Sequence, residues 1–187
     1  TALASAMAKL NRAKPSVPLV LVHGGGREID AALARAGIAK RQVDGLRITD
    51  EPTLDTVVSV LAGLVNTRLV AALVAAGVQA VGLTGADAGI GRVRPAAPHQ
   101  SAAGGTVDLG LVGEPIGKAT PALLVDLCRG GYLPVVCSIG ASRSPARSTR
   151  SPLSAVTAAR SPALRSRRAA RRRARRAQPR SDRRASP

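Results

Sequence analysis

Residues 18–26 read Pro-Leu-Val-Leu-Val-His-Gly-Gly-Gly, and this string decides the fold. Its first half belongs to a continuous apolar run from Val17 to Val22, the pattern of a strand covered on both faces within a parallel sheet. Three glycines follow, and then Arg27 to Ala36 repeats at helical period with Ile29, Ala32 and Leu33 on the inward face. A strand that passes through glycines into a helix brings backbone N–H groups and the positive end of the helix to one point, which suits an anion. Gly25 and Gly26, with Gly24 as a secondary candidate, therefore form a candidate phosphate cradle. The string has neither the lysine and hydroxyl of a Walker loop nor the G-x-G-x-x-G spacing of a dinucleotide turn. A tight strand-to-helix turn with no ligand would use the same glycines.

On the N-terminal side, Thr1 to Lys14 is expected to be an alanine-rich helix burying Leu3, Met7 and Leu10, ended by Pro15 and Pro18. On the C-terminal side, Gly37 closes the first helix, and Val43 to Thr49 is extended or looped. Asp50 caps the next helix, with Pro52 in its first turn and Leu54, Val57, Val58 and Leu61 as its stripe. Gly63 is expected to interrupt that helix, a second helix running from Leu64 to Ala76 until Gly77 stops it. Ala80 to Leu83 is a short buried strand. Thr84 to Gly113 is a turn-rich β-hairpin excursion with strand pieces at 91–94 and 107–112. Thr120 and Pro121 open a helix carrying Leu123, Leu124 and Leu127, Gly130 and Gly131 end it, and Leu133 to Ser138 is a third buried strand. This order predicts an α/β fold, a three-layer αβα sandwich around a mainly parallel sheet, over residues 1–140, followed by a disordered tail over 141–187.

The charge divides at the same place. Of the 28 Lys and Arg, 13 precede Ala141 against 10 acids, while the remaining 15, all Arg, follow it with Asp182 alone to oppose them. The net charge of +17 thus belongs mostly to the last quarter of the chain. That quarter is mostly Arg, Ala, Ser and Pro with scattered Leu, Val and Thr and no Gly, too poor in apolar groups to offset the entropy of ordering it. It should be disordered, or transiently helical around Arg165 to Arg176. Tyr132 is the only aromatic residue, which argues against base-stacking platforms. Cys128 and Cys137 are too few for a zinc site or a disulfide framework and read as buried thiols in a reducing compartment. No apolar run is expected to reach membrane-spanning length, since the longest break at Gly, Asn or charge. No secretory signal is evident, and the lack of an initial methionine suggests that an N-terminal piece precedes Thr1.

One further string points to chemistry. Val43-Asp44-Gly45-Leu46-Arg47-Ile48-Thr49-Asp50 holds an arginine after a glycine-bent loop, and a guanidinium suits a carboxylate. Standing alone it would be a solvated surface residue. Taken together, HGGG, VDGLRITDEPT, VLAGLVN at 60–66, AVGLTGAD at 80–87, DLGLVGE at 108–114 and GYLPVVCSIG at 131–140 occur in the order found in acetylglutamate kinases, members of the amino acid kinase family. The resemblance runs from about Val17 to Gly140. An aminoadipate-type kinase of lysine biosynthesis is the runner-up within the family.

The resemblance implies phosphoryl transfer from ATP, with Mg2+, to the side-chain carboxylate of N-acetyl-L-glutamate in arginine biosynthesis, in the cytoplasm. By motif, Gly25 and Gly26 would meet the transferring phosphoryl or the substrate carboxylate through backbone N–H groups, and Arg47 would hold the α-carboxylate. The family also implies a homo-oligomer, with the 51–76 region packing between subunits. No match is found for the family's opening Lys-x-Gly-Gly strand or for its nucleotide lobe, so the catalytic lysines and aspartate are not assigned and no protein metal ligand is expected. His23 is expected to donate to a neighbouring carbonyl, and His99 to be exposed. Asn66 and Asp87 have structural explanations of equal weight, and Glu114 has no assigned role.

The change of composition at Ala141 falls within a motif and into residues of GC-rich codons, which predicts an out-of-frame tail and a chain incomplete and inactive by itself. Shifting the frame near the Ala141 codon should restore an Asn-Ala-Asp-like strand. Two readings of other classes remain: sequence-blind nucleic-acid binding through the arginines, or a non-catalytic binding and dimerisation remnant.

Overall fold

The computed structural model describes residues 2–13, 17–116, 122–142 and 153–156. At its centre lie three parallel strands, β1 (Leu21–His23), β9 (Leu133–Cys137) and β4 (Ala80–Thr84), in the order β1-β9-β4. β9 is the middle strand and is buried along nearly its whole length, as a continuous apolar strand in a parallel sheet should be. β1 is shorter than its apolar run: residues 18–20 lead into it without pairing.

α1 (Ala2–Ala13) and α4 (Asn66–Ala75) pack against this sheet around Leu73, Val78, Leu133 and Val135. The expected stripe on α1 is wrong. Ala4 and Ala8 are buried, Met7 is partly so, and Leu3 and Leu10 are exposed at 51% and 40%. Two alanines four apart present a flat surface that lets α1 lie close on α4, which a leucine would prevent. A second cluster joins α2 (Gly26–Arg35) to α3 (Glu51–Val58) through Ile29, Leu33, Val57 and Leu61, with Cys137 and Ile139 beneath. Leu33, Leu54, Leu73 and Leu133 are each 1% exposed or less, and burying a leucine contributes about 2 kcal/mol.

Asp50 caps α3 as expected, its carboxylate accepting from the Thr53 N–H at 3.1 Å. α2 and α4 both end in paired backbone bonds, Ile38 N–H to Leu33 O with Gly37 N–H to Ala34 O, and Val78 N–H to Leu73 O with Gly77 N–H to Val74 O.

The expected interruption at Gly63 does not occur. Ser59–Val65 is a π-helical segment joining α3 to α4, so that Glu51–Ala75 is one continuous helix of 25 residues. Buried positions fall at Thr53, Leu54, Val57, Val60 and Leu61 and then at Asn66, the step of five from Leu61 matching the wider π turn. The segment therefore rotates the stripe from the α2 cluster to the sheet cluster, and Gly63 simply faces open space. With the break gone, the helix is long and apolar enough to cross a membrane by length and composition, with a mean hydropathy of 2.0 over its richest 18 residues. Of its buried side chains, Val57, Val60 and Leu61 belong to the α2 cluster and Leu73 to the sheet cluster.

The excursion after β4 pairs antiparallel, as a hairpin should, but the strand expected over 107–112 is absent: one strand ends at Val107 and the next begins at Val112. β5 (Arg92–Pro95) pairs with β8 (Val112–Pro115), and β6 (His99–Gln100) with β7 (Thr106–Val107). β10 (Ile139–Ser142) and β11 (Leu153–Val156) join β5 and β8 to close a four-stranded ring. This corrects the expectation of disorder from Ala141 for Leu153–Val156, which pairs with β10 and, in parallel, with β8. Apolar Leu153 and Ala155 pack on the α2 cluster, and the two open edges of β8 and β10 supply the backbone partners that an isolated tetrapeptide lacks. α5 (Ala122–Arg129) packs on β9. Its expected start at Thr120 and Pro121, and the expected helical tendency of 165–176, lie outside the described residues.

Candidate functional site

The three glycines do different work. The residue before α2, Gly25, has an extended backbone, and a Cβ there would stand 3.0 Å from Leu61 Cδ2 and 3.2 Å from Val65 Cγ2. Its lack of a side chain thus admits the loop against the π-helical segment. Gly24 would make only an ordinary contact with Ser138 Oγ at 3.8 Å. At Gly26 a Cβ would meet nothing within 4 Å, so the packing of the chain does not demand a glycine there. α2 receives no side-chain cap, and its first intrahelical bond runs from Ile29 N–H to Gly25 O at 2.9 Å. The N–H groups of Gly26, Arg27 and Glu28 precede that bond and have no acceptor within the helix.

Arg47 is carried by a two-residue hairpin. β2 (Gln42–Val43) pairs with β3 (Leu46–Arg47) across Asp44 and Gly45, whose φ values are +49° and +81°. Positive φ at both central positions is the pattern of a type I′ turn, for which Asp-Gly is a preferred pair. The hairpin is held at both ends. At the turn, the Asp44 carboxylate accepts from the Ala102 N–H and contacts His99 Nε2, each at 2.8 Å. After β3, Thr49 bridges to Gly110, with Thr49 N–H bonded to Leu109 O at 2.9 Å and Leu111 N–H to Thr49 O at 2.7 Å. His99 is therefore half-buried and engaged, where an exposed side chain was expected.

These contacts, the backbone bond from Ala102 first and His99 second, hold the Asp44 carboxyl below its ordinary value of 3.8. A depressed folded value means that the tether is complete above that ordinary value and is lost as pH falls through the lowered one. The Ala102 amide resonance should shift in that acid window and stay flat in Asp44→Asn, which keeps a residue tolerant of positive φ. An identical acid shift in the variant would assign the titration to another group.

Arg47 is tied to α2, the helix that follows the glycines, by a residue that sequence reasoning missed. Asp30 lies on α2 four positions after Gly26, on the same helix face and about 6 Å further along it. Its Oδ1 accepts from Arg47 Nη2 at 2.5 Å and its Oδ2 from Lys40 Nζ at 2.6 Å. Hydrogen bonds from Lys40 and then Arg47 hold the Asp30 carboxyl below the usual carboxylate range. The Arg47 side chain is only 14% exposed, and its Nη1 is buried with no hydrogen-bond partner. Leaving a charged donor unsatisfied inside a protein is costly, so such an atom marks a point where a water or a ligand can supply the acceptor. The available signal in the sequence was the acid one turn beyond Gly26, which looks like any helix-surface residue until Arg47 is placed beside it.

Other residues singled out above have structural partners. Asp87 Oδ2 accepts from the Thr84 N–H at 2.6 Å and the Thr84 hydroxyl at 3.0 Å, a turn contact. Glu114 pairs across strands with Arg94 at 3.2 Å. Asn66 donates to Leu83 O at 3.1 Å and lies over Gly82. His23 Nδ1 lies 3.3 Å from Gly24 O, the neighbouring-carbonyl contact expected of it, while its Nε2 is buried without a partner among the described residues. Both cysteines are free; Cys137 is buried, which pushes its thiol up, and Cys128 is half-buried with its Sγ 3.4 Å from Leu19 O. Among the described residues no three His, Cys, Asp or Glu gather as a metal site.

A strand–glycine–helix turn, with an arginine tied through Asp30 to the same helix, on a parallel sheet flanked by an antiparallel excursion, defines an α/β architecture. The model of the amino acid kinase family matches residues 1–163, and the chain belongs to that family. It is 45% identical over 122 residues to the acetylglutamate kinase of Chloroflexus aurantiacus, covering 65% of this chain and 45% of that one. The acetylglutamate kinase of Methanopyrus kandleri is also 45% identical over 122 residues, covering 65% and 48%. The chain thus spans about half the length of the curated relatives it matches. Among solved structures, smu.665 from Streptococcus mutans UA159 shares the fold, with a TM-score of 0.65 at 19% identity over 82% of this chain and 60% of that one. N-acetylglutamate synthase from Neisseria gonorrhoeae, complexed with coenzyme A and N-acetyl-glutamate, has a TM-score of 0.55 at 27% identity, covering 75% and 30%.

Proposed function

We propose that this chain supplies the acceptor-binding part of an acetylglutamate kinase, which phosphorylates the side-chain carboxylate of N-acetyl-L-glutamate with ATP in arginine biosynthesis. The observation that carries the reading is the buried, unpartnered Nη1 of Arg47, on a guanidinium tied through Asp30 to the helix that begins at Gly26. In this reading Arg47 takes the α-carboxylate. The open space over Gly26 admits the other end of the ligand to the free N–H groups of the first turn of α2. A carboxylate oxygen there attacks the γ-phosphorus, the bond from phosphorus to the bridging oxygen breaks, and ADP leaves. Backbone donors at Gly26 and Arg27 would neutralise charge spread over the transferring group, the main demand of such a reaction.

The lysines among the described residues are Lys9 on α1 and Lys40, and Lys40 is engaged by Asp30, so neither is assigned to the nucleotide phosphates. Magnesium, expected with ATP, finds no ligand cluster among the described residues, and no step is drawn through it. The reading therefore predicts binding without turnover by this chain alone. Calorimetric titration of the 187-residue chain should give saturable binding of N-acetyl-L-glutamate, with ADP release no faster than in a control lacking it. Absence of binding at millimolar ligand would refute the assignment.

A further inference from the structure

We infer that Asp30 is a positioning residue that aims Arg47 at the α-carboxylate of the ligand and so sets the preference for a dicarboxylate. The inference rests on the proposed role of Arg47 and deepens it. An arginine side chain has many rotamers, and a free one would lose that freedom on meeting its ligand. Asp30 removes it beforehand: Oδ1 holds Nη2 at 2.5 Å, leaving Nη1 as the buried, unpartnered end of the fork. Asp30 is itself fixed, because it sits on α2 and Lys40 occupies its other oxygen at 2.6 Å. Two cations around one carboxylate leave the group one positive charge in excess, so the acid steadies the guanidinium without cancelling its attraction for an anion. The Asp30 side chain is 36% exposed, and water weakens its repulsion of a ligand carboxylate more than it weakens the direct bond to Arg47.

A residue that merely stabilises the fold would affect every ligand alike, whereas one that aims Arg47 affects only ligands with an α-carboxylate. The test compares N-acetyl-L-glutamate with 4-acetamidobutanoate, the same molecule without that group, by calorimetry on the full chain. The unaltered chain should prefer N-acetyl-L-glutamate. In Asp30→Asn that preference should fall about 10-fold, the size of one charge-assisted hydrogen bond, with affinity for 4-acetamidobutanoate unchanged. Asp30→Glu should restore part of it. If the unaltered chain shows no preference, the role of Arg47 itself fails. If the preference exists but Asp30→Asn leaves it intact, raises it, or weakens both ligands equally, the positioning role of Asp30 is overturned and that of Arg47 stands.

Discussion

Arg47→Ala lowers the affinity for N-acetyl-L-glutamate by about 30-fold or more, because truncating one side of a buried, hydrogen-bonded charge pair costs about 2–5 kcal/mol. The loss should be specific to the α-carboxylate, leaving 4-acetamidobutanoate binding nearly as before. Arg47→Lys should recover little of it. An ammonium keeps the charge but has no second nitrogen to offer the ligand while the first is held by Asp30. Stability should fall far less than affinity, since Asp30 keeps Lys40 as a partner and is itself partly exposed. Calorimetry paired with thermal unfolding separates the two effects. An affinity within threefold of the parent, in a variant that still folds, would mean that Nη1 is buried for some reason other than a ligand.

Gly110→Ala should be the most damaging single methyl that can be added near the site. Its Cβ would stand 2.3 Å from Thr49 O, a backbone atom that accepts from Leu111 N–H and cannot swing aside. Gly110 also has φ +71°, which an alanine adopts at a cost of about 1–2 kcal/mol even in open space. Gly104 isolates that second contribution: its φ is +95°, and a Cβ there would meet nothing within 4 Å. Gly104→Ala should therefore lose about 1–2 kcal/mol, and Gly110→Ala at least twice as much, read as urea midpoints. The larger loss should carry a functional cost too, because the Thr49 bridge anchors the strand bearing Arg47. Equal losses would show that the 108–111 segment does not press on Thr49.

The two glycines also show how far the sequence can be read. Gly110 lies inside DLGLVGE, which marks family resemblance but gives no hint that a side chain there would strike a carbonyl 61 positions away. The same limit explains α1, where periodicity favoured the leucines and the closeness of α4 chose the alanines. It explains Gly63 as well, a residue of low helix propensity that the wider π turn carries without a break. In each case a local preference of about 1 kcal/mol gave way to packing worth several.

What the amino-acid order determined by itself was the parallel strands, the glycine turn, the Asp50 cap of α3 and the arginine, because these arise from apolar runs, backbone freedom and charge within a few residues. Tertiary structure alone decided which glycine is packed and which is open, and that Asp30 and Lys40 flank the guanidinium. It also decided that Leu153–Val156 closes a ring with strands from the excursion. Those outcomes depend on contacts between segments distant in sequence, whose energies exist only once the chain has folded.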